Sequence, residues 1–303
     1  MLSAFGSLWV VLTIIAAFVQ TLRNAMQREM TQRLGTVGAT HIRFLFGLPF
    51  GCLFLLVAQL ATGAEIPVPG TVALVWMVIG SFGQIFGTAL LLEAMENDTF
   101  VVSIAYAKTE PIQVALFGLL FLGDELSLTL SAAILMAVLG VTMLALPSNI
   151  RETGAKGGWL RPAALGIGAG SCFAFGAIGF RGGIQALDTD NFVMAATTAV
   201  AIGLFIQAGI LGVWLAVRSP DTVRQIIREW RPSLAAGLFG ALASQFWYLA
   251  FALESAAKVR TLALVELLFA HILSRSLFRQ RLSLRSTFGL VFVAVGVILL
   301  VNA

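Results

Sequence analysis

The sequence predicts an all-α, multi-pass membrane protein: ten transmembrane helices arranged as two inverted repeats of five. Three observations predict it. The 303 residues are 59% hydrophobic and only 11% charged, well below the roughly 25% charged content of a soluble domain, so the chain cannot coat a globule with polar surface. Ten apolar runs each approach the roughly 20 residues that a helix needs to cross a bilayer. The two halves of the chain also resemble each other.

The runs cover approximately 4–22, 37–60, 71–92, 99–122, 129–147, 162–183, 191–217, 233–253, 258–278 and 284–302. Met1 leads into the first without a basic n-region, so a retained first helix is expected and not a cleaved signal. The connections are short. The longest, PSNIRETGAKGGWL beginning at Pro147, divides the chain into residues 1–150 and 151–303, five runs each. Shifting the sequence by 156 places LFLGDELSL (120–128) on SLFRQRLSL (276–284) and Glu110 on Glu266, and a shift of 158 places Arg23 on Arg181. An odd number of spans per half forces the copies into opposite orientations, as in many secondary transporters.

Fourteen of the nineteen Lys and Arg residues fall in odd-numbered loops, and Arg181, Lys258 and Arg260 in even ones. Loop cations concentrate on the cytoplasmic side, which puts the odd loops inside and both termini outside. The net charge of +4 is scattered through loops without a basic domain, so nucleic acid is not an expected partner. Cys52 and Cys172 lie inside apolar runs and read as small buried hydrophobes.

The polar residues within the runs are the functional candidates. In YAKTEPIQ (106–113), Pro111 lacks an N–H and is expected to bend the fourth helix. Freed backbone groups in a membrane need protein or cavity water, so the bend should face the bundle interior. Tyr106, Glu110 and Gln113 share a face at helical spacing. Glu110 has two readings: a cavity carboxylate that binds a cationic group or a proton, or a structural partner of Lys108 or of an arginine on another helix. Glu266 in the ninth run has the same two. His271, five residues on, reads as a proton relay or an interhelical hydrogen-bonder. Arg43 could hold a substrate carboxylate or neutralise an acid. Gln84 and Gln245 read as inward neutral hydrogen-bonders, and Trp247 as a cation-stacking surface or an interfacial belt residue. LEAMENDT, with Glu93, Glu96 and Asp98, reads as a solvated turn, and GIGAG (166–170) as helix packing. No metal-ligand cluster, HExxH, GxSxG or Walker motif is present, so no metal, cofactor or enzymatic activity is expected.

With LFLGDELSL on the page, a resemblance enters. A Pro-containing apolar helix followed by Leu122, Gly123, Glu125, Leu126 and Ser127 and then a Gly-containing helix, ILMAVLGVTMLAL, resembles the drug/metabolite transporter superfamily in its ten-helix EamA-type branch. LVFVAVGVILL fits the tenth helix, and Arg43-Phe44 the second. Asp124 is inserted before the acid, Gln280-Arg281 replaces Gly-Glu in the second half, and Leu267 stands where proline is usual. The resemblance implies a secondary transporter of small organic solutes (amino acids, other metabolites or drugs) working by alternating access around a midplane cavity without ATP. An exporter in a bacterial-type cytoplasmic (inner) membrane is expected, as monomer or homodimer, with protons as a candidate coupling ion. The family usually keeps both termini in the cytoplasm, opposite to the loop charges. The alternatives are a channel or a non-transporting scaffold.

Overall fold

The computed structural model describes residues 7–95, 106–145, 160–265 and 284–303, and every regular element among them is a helix. These are α1 (Leu8–Leu45), α2 (Leu48–Thr62), α3 (Thr71–Met95), α4 (Glu110–Phe117) continued by a π-helical turn (Gly118–Leu122), α5 (Leu128–Ala145), α6 (Leu160–Gln185), α7 (Phe192–Arg218), α8 (Pro220–Arg228), α9 (Trp230–Leu253), α10 (Ala256–Leu262) and α11 (Leu284–Val301). Five stretches are long and apolar enough to cross a membrane: Arg33–Thr62, Thr71–Leu91, Ala163–Gln185, Phe192–Arg218 and Trp230–Leu253. Leu8–Arg23, Glu110–Leu122, Leu128–Leu144 and Thr287–Val301 are shorter apolar helices.

The first two expected spans are joined differently from the sequence reading. Helix α1 runs on through the polar stretch after Arg23 and changes direction at Gly35, whose φ of 68° and ψ of 173° lie in a region essentially reserved for glycine. Arg23 is therefore a buried helical residue, 8% exposed, and not a loop cation. Pro49 then sits in the first turn of α2, where a missing N–H costs little. Cys52 is exposed on α2, against the expectation of burial, and Cys172 is half-buried; both are free thiols.

The fourth span also departs from a simple proline bend. The chain turns at Lys108 and Thr109, and α4 begins at Glu110, so Pro111 occupies the first turn of a new helix. Thr109 closes the turn by donating its N–H and hydroxyl to the Tyr106 carbonyl. Tyr106 thus lies before the turn and outside the helix that carries Glu110 and Gln113. The LGDELS segment then acts as punctuation: Gly123 ends the π-turn at φ 68°, and the Ser127 hydroxyl accepts from the Leu130 N–H at 3.0 Å to open α5.

The chain packs as two compact units. The first comprises residues 1–85 and 179–254, the second 86–178 and 255–303. Inside the first unit, α9 lies along α1 through glycines. A Cβ at Gly237 would meet the Phe46 carbonyl carbon at 2.5 Å, and one at Gly240 the Arg43 Cγ at 2.9 Å. An apolar cluster of Met30, Leu34, Ala39 and Ile42 with Leu215, Ile226 and Ala236 closes one end. Inside the second unit, α5 and α11 approach at backbone distance: a Cβ at Gly140 would lie 2.6 Å from the Gly289 carbonyl oxygen, and one at Gly296 2.7 Å from the Ala137 nitrogen. Small residues at such crossings are what helix association in lipid requires, because lipid tails offer no hydrophobic drive.

Candidate functional site

Polar side chains in the apolar helices collect in each unit separately. In the first unit, Gln84 of α3 accepts from Gln207 Nε2 of α7 at 2.7 Å, and Gln207 is 1% exposed. Gln245 of α9 donates to Thr197 Oγ1 of α7 at 2.8 Å, which leaves Gln245 Oε1 buried with no donor among the described residues. Trp247 is buried and donates its indole N–H to Gln20 Oε1 of α1 at 3.1 Å. An interfacial belt position for Trp247 is thereby excluded; the indole is an interior hydrogen-bonder. Arg43 is 3% exposed, its guanidinium 5.0 Å from the centre of the Phe44 ring, and its stem crosses Gly240, beside which the Arg23 stem also passes. A Cβ at position 240 would press on the Arg43 stem and only touch that of Arg23, at 3.8 Å. Tyr248, one residue past Trp247, is buried against Phe180.

Arg181 closes the same unit at the end of α9. Its Nη1 donates to the Phe251 carbonyl at 3.0 Å and to the Glu254 carbonyl. A cation on the last carbonyls of a helix is favoured both by their unsatisfied lone pairs and by the helix dipole. Arg181 thus caps a helix inside the protein and is not a loop charge.

In the second unit, Glu110 meets a partner that the sequence did not single out. Arg260, counted from sequence as an even-loop cation, lies in α10 and places Nε 2.6 Å and Nη2 2.5 Å from Glu110 Oε1. The two side chains are only 16% and 13% exposed. Both donors converge on one carboxylate oxygen, so Oε2 is the oxygen left for a second partner. The acid sits in the first turn of α4, where a negative charge is favoured. Gln113, one turn on, has its Oε1 buried without a donor and close to Gly170 of α6. Tyr106 precedes the turn before α4 and Lys108 lies in it, and both are half-buried. GIGAG lies within α6, as expected of helix packing. Glu93 is exposed and paired with Arg161 at 3.3 Å.

Glu266 and His271 lie outside the described residues, as do Glu96 and Asp98. Gln20, Thr197, Gln207 and Arg260 are the functional-site neighbours that sequence reasoning missed. Arg260 had a readable signal, since it is an arginine at the start of an apolar run. The other three are neutral polar residues of a kind that any membrane helix carries singly, and only the tertiary pairing marks them. No group of three or more His, Cys, Asp or Glu side chains capable of holding a metal is found among the described residues.

The model of the EamA-like transporter family matches residues 7–146 and again residues 160–302. No curated protein matches the chain. A solved crystal structure of a protein 15% identical in sequence superimposes with a TM-score of 0.67 over 98% of this chain and 95% of that one, which is a likeness of fold. The chain is a multi-pass membrane protein that belongs to the EamA-like transporter family, with one family repeat in each half.

Proposed function

We propose that this protein is a secondary carrier of small organic solutes, exporting metabolites, amino acids or drugs by alternating access around a midplane cavity in a bacterial-type cytoplasmic membrane. The observation that carries this reading is the duplicated family match, together with buried polar side chains on helices that otherwise meet lipid. A buried polar atom without a partner costs free energy, so Gln245 Oε1 is tolerated best where it has a ligand to accept from. In the first unit, Gln84, Gln245 and Trp247 offer neutral hydrogen bonds and an aromatic face, and Arg43 offers a permanent cation. In the second unit, Glu110 offers a carboxylate already held by Arg260, with Lys108 and Tyr106 nearby. A proton or a solute ammonium would act there by competing with the guanidinium for the carboxylate, which makes Glu110 the coupling candidate. Glu266 and His271 keep the same assignment from their sequence context.

The test is transport by purified protein in proteoliposomes, with amino acids, amino-acid analogues and cationic drugs as the panel. Saturable uptake with counterflow is expected for a carrier. Linear, non-saturating flux without counterflow would point instead to a channel, and no flux across the panel with folded protein would point to a scaffold.

A further inference from the structure

Helix α8 connects two membrane-spanning helices with nine residues, Pro220–Arg228. Its neighbours α7 and α9 are each long and apolar enough to cross the bilayer, which places the polar α8 between them at the membrane surface. One face is fixed to the protein: Ile226 is 1% exposed and packs with Met30 and Leu34 of α1, and Val223 lies beside it. The rest is open. Ile227 and Trp230 are 65% and 49% exposed. A tryptophan and an isoleucine facing outward beside a span end are suited to the headgroup boundary of a bilayer.

Among the described residues the charges around this helix do not balance. Arg224 is matched by Asp221 at 3.0 Å, and Arg33 reaches across from α1 to Glu229 at 3.2 Å. Arg218, Arg228 and Arg231 are exposed and have no carboxylate partner among the described residues; Arg231 stacks its guanidinium 5.4 Å from the centre of the Trp230 ring. Three surplus guanidinium groups thus sit around two exposed apolar side chains at the membrane edge. Soluble anions would use the charge but not the apolar groups, whereas a phospholipid uses both.

We propose that α8 and its flanks form a binding surface for anionic phospholipid, with Arg218, Arg228 and Arg231 each supplying a cationic contact to headgroup phosphates and acyl chains lying along Ile227 and Trp230. Bidentate geometry makes arginine well suited to phosphate, and each cation near an anionic surface contributes on the order of a fivefold gain in affinity.

The experiment is thermal unfolding of detergent-purified protein with added phosphatidylglycerol, phosphatidylcholine or inorganic phosphate. Wild type and the triple variant R218Q/R228Q/R231Q would be compared with Arg161→Gln, which removes an exposed arginine from the second unit. Phosphatidylglycerol is expected to raise the wild-type melting temperature far more than phosphatidylcholine. The lipid concentration giving half the shift should rise about tenfold or more in the triple variant and stay unchanged in Arg161→Gln. Equal shifts from both lipids, or a triple variant that responds as wild type does, would overturn the proposal. Inorganic phosphate matching the lipid at equal concentration would reduce it to an anion site. Native mass spectrometry of the triple variant guards against misfolding: a folded, monodisperse protein that retains phosphatidylglycerol as wild type does would also refute it.

Discussion

Glu110 shows how far a single residue can be read from sequence. Its chemistry was legible, because a carboxylate beside a proline in an apolar run is costly and needs a reason. Its partner was not, since Arg260 lies 150 residues away and only folding brings α4 and α10 together. The pair leads to a definite expectation. Glu110→Gln takes the carboxylate away from a guanidinium that is 16% exposed, and Arg260→Gln takes the guanidinium away from a carboxylate that is 13% exposed. Each should lower stability by roughly 1–3 kcal/mol, less than for a fully buried pair because some solvent contact remains. The double variant should be more stable than the sum of the single losses predicts, by about 1 kcal/mol or more. Denaturation monitored by helical signal in one detergent provides the four melting curves. Additive losses would show that the contact contributes nothing as a pair. Transport separates the two readings of the acid: a purely structural pair should regain transport in the double variant, whereas a coupling carboxylate should leave it inactive however stable it becomes.

Elements were read well where their boundaries are written in glycine, proline and serine, and poorly where the chain continues through polar residues. LGDELS placed the end of the fourth span and the start of α5 correctly, through Gly123 and Ser127. The break before α4 was misplaced by a few residues because proline permits both a kink and a helix start, and the Thr109 turn decides between them. The continuation of α1 past Arg23 was missed because RNAMQREMTQR reads as a polar loop, whereas Met30 within it and Leu34 just beyond pack with Ile226 of α8 and Ala236 of α9. Two glycines test these boundaries. Neither Gly35 nor Gly70 has a heavy atom within 4 Å of an added Cβ, so space does not distinguish them. Only Gly35 has a positive φ. Gly35→Ala should cost about 1–3 kcal/mol from backbone strain alone, and Gly70→Ala close to nothing. At Gly140 the reason differs: a Cβ there would meet the Gly289 carbonyl oxygen at 2.6 Å, so Gly140→Ala must force α5 and α11 apart. A loss of roughly 1–3 kcal/mol is expected, again measured by melting. An unaffected Gly140→Ala would mean that the two helices pack less tightly than these distances require.

At the scale of the whole molecule, duplication was legible from two sequence shifts and from five apolar runs per half, and the family match in each half agrees with it. The compact units were not legible, because each takes its residues from both halves of the chain. Burial also changes how the loop charges are weighed. Arg181 and Arg260, two of the three even-loop cations, are engaged by a helix end and by Glu110 and so carry little weight in setting orientation. The exposed arginines among the described residues, Arg33, Arg161, Arg218, Arg224, Arg228 and Arg231, all fall in odd loops. The loop-charge bias therefore rests on side chains that are exposed in the structure. If the chain crosses ten times, as the apolar runs lead one to expect, odd loops inside put both termini on the outer side, against the habit of the family. Single cysteines replacing Arg224 and Asp188, in a background lacking Cys52 and Cys172, would read this directly in intact cells with a membrane-impermeant thiol reagent. Asp188 is exposed between α6 and α7, in an even loop. Labelling of Asp188→Cys but not Arg224→Cys is expected. The reverse pattern would restore the family orientation, and it would place the α8 surface on the leaflet that faces away from the cytoplasm.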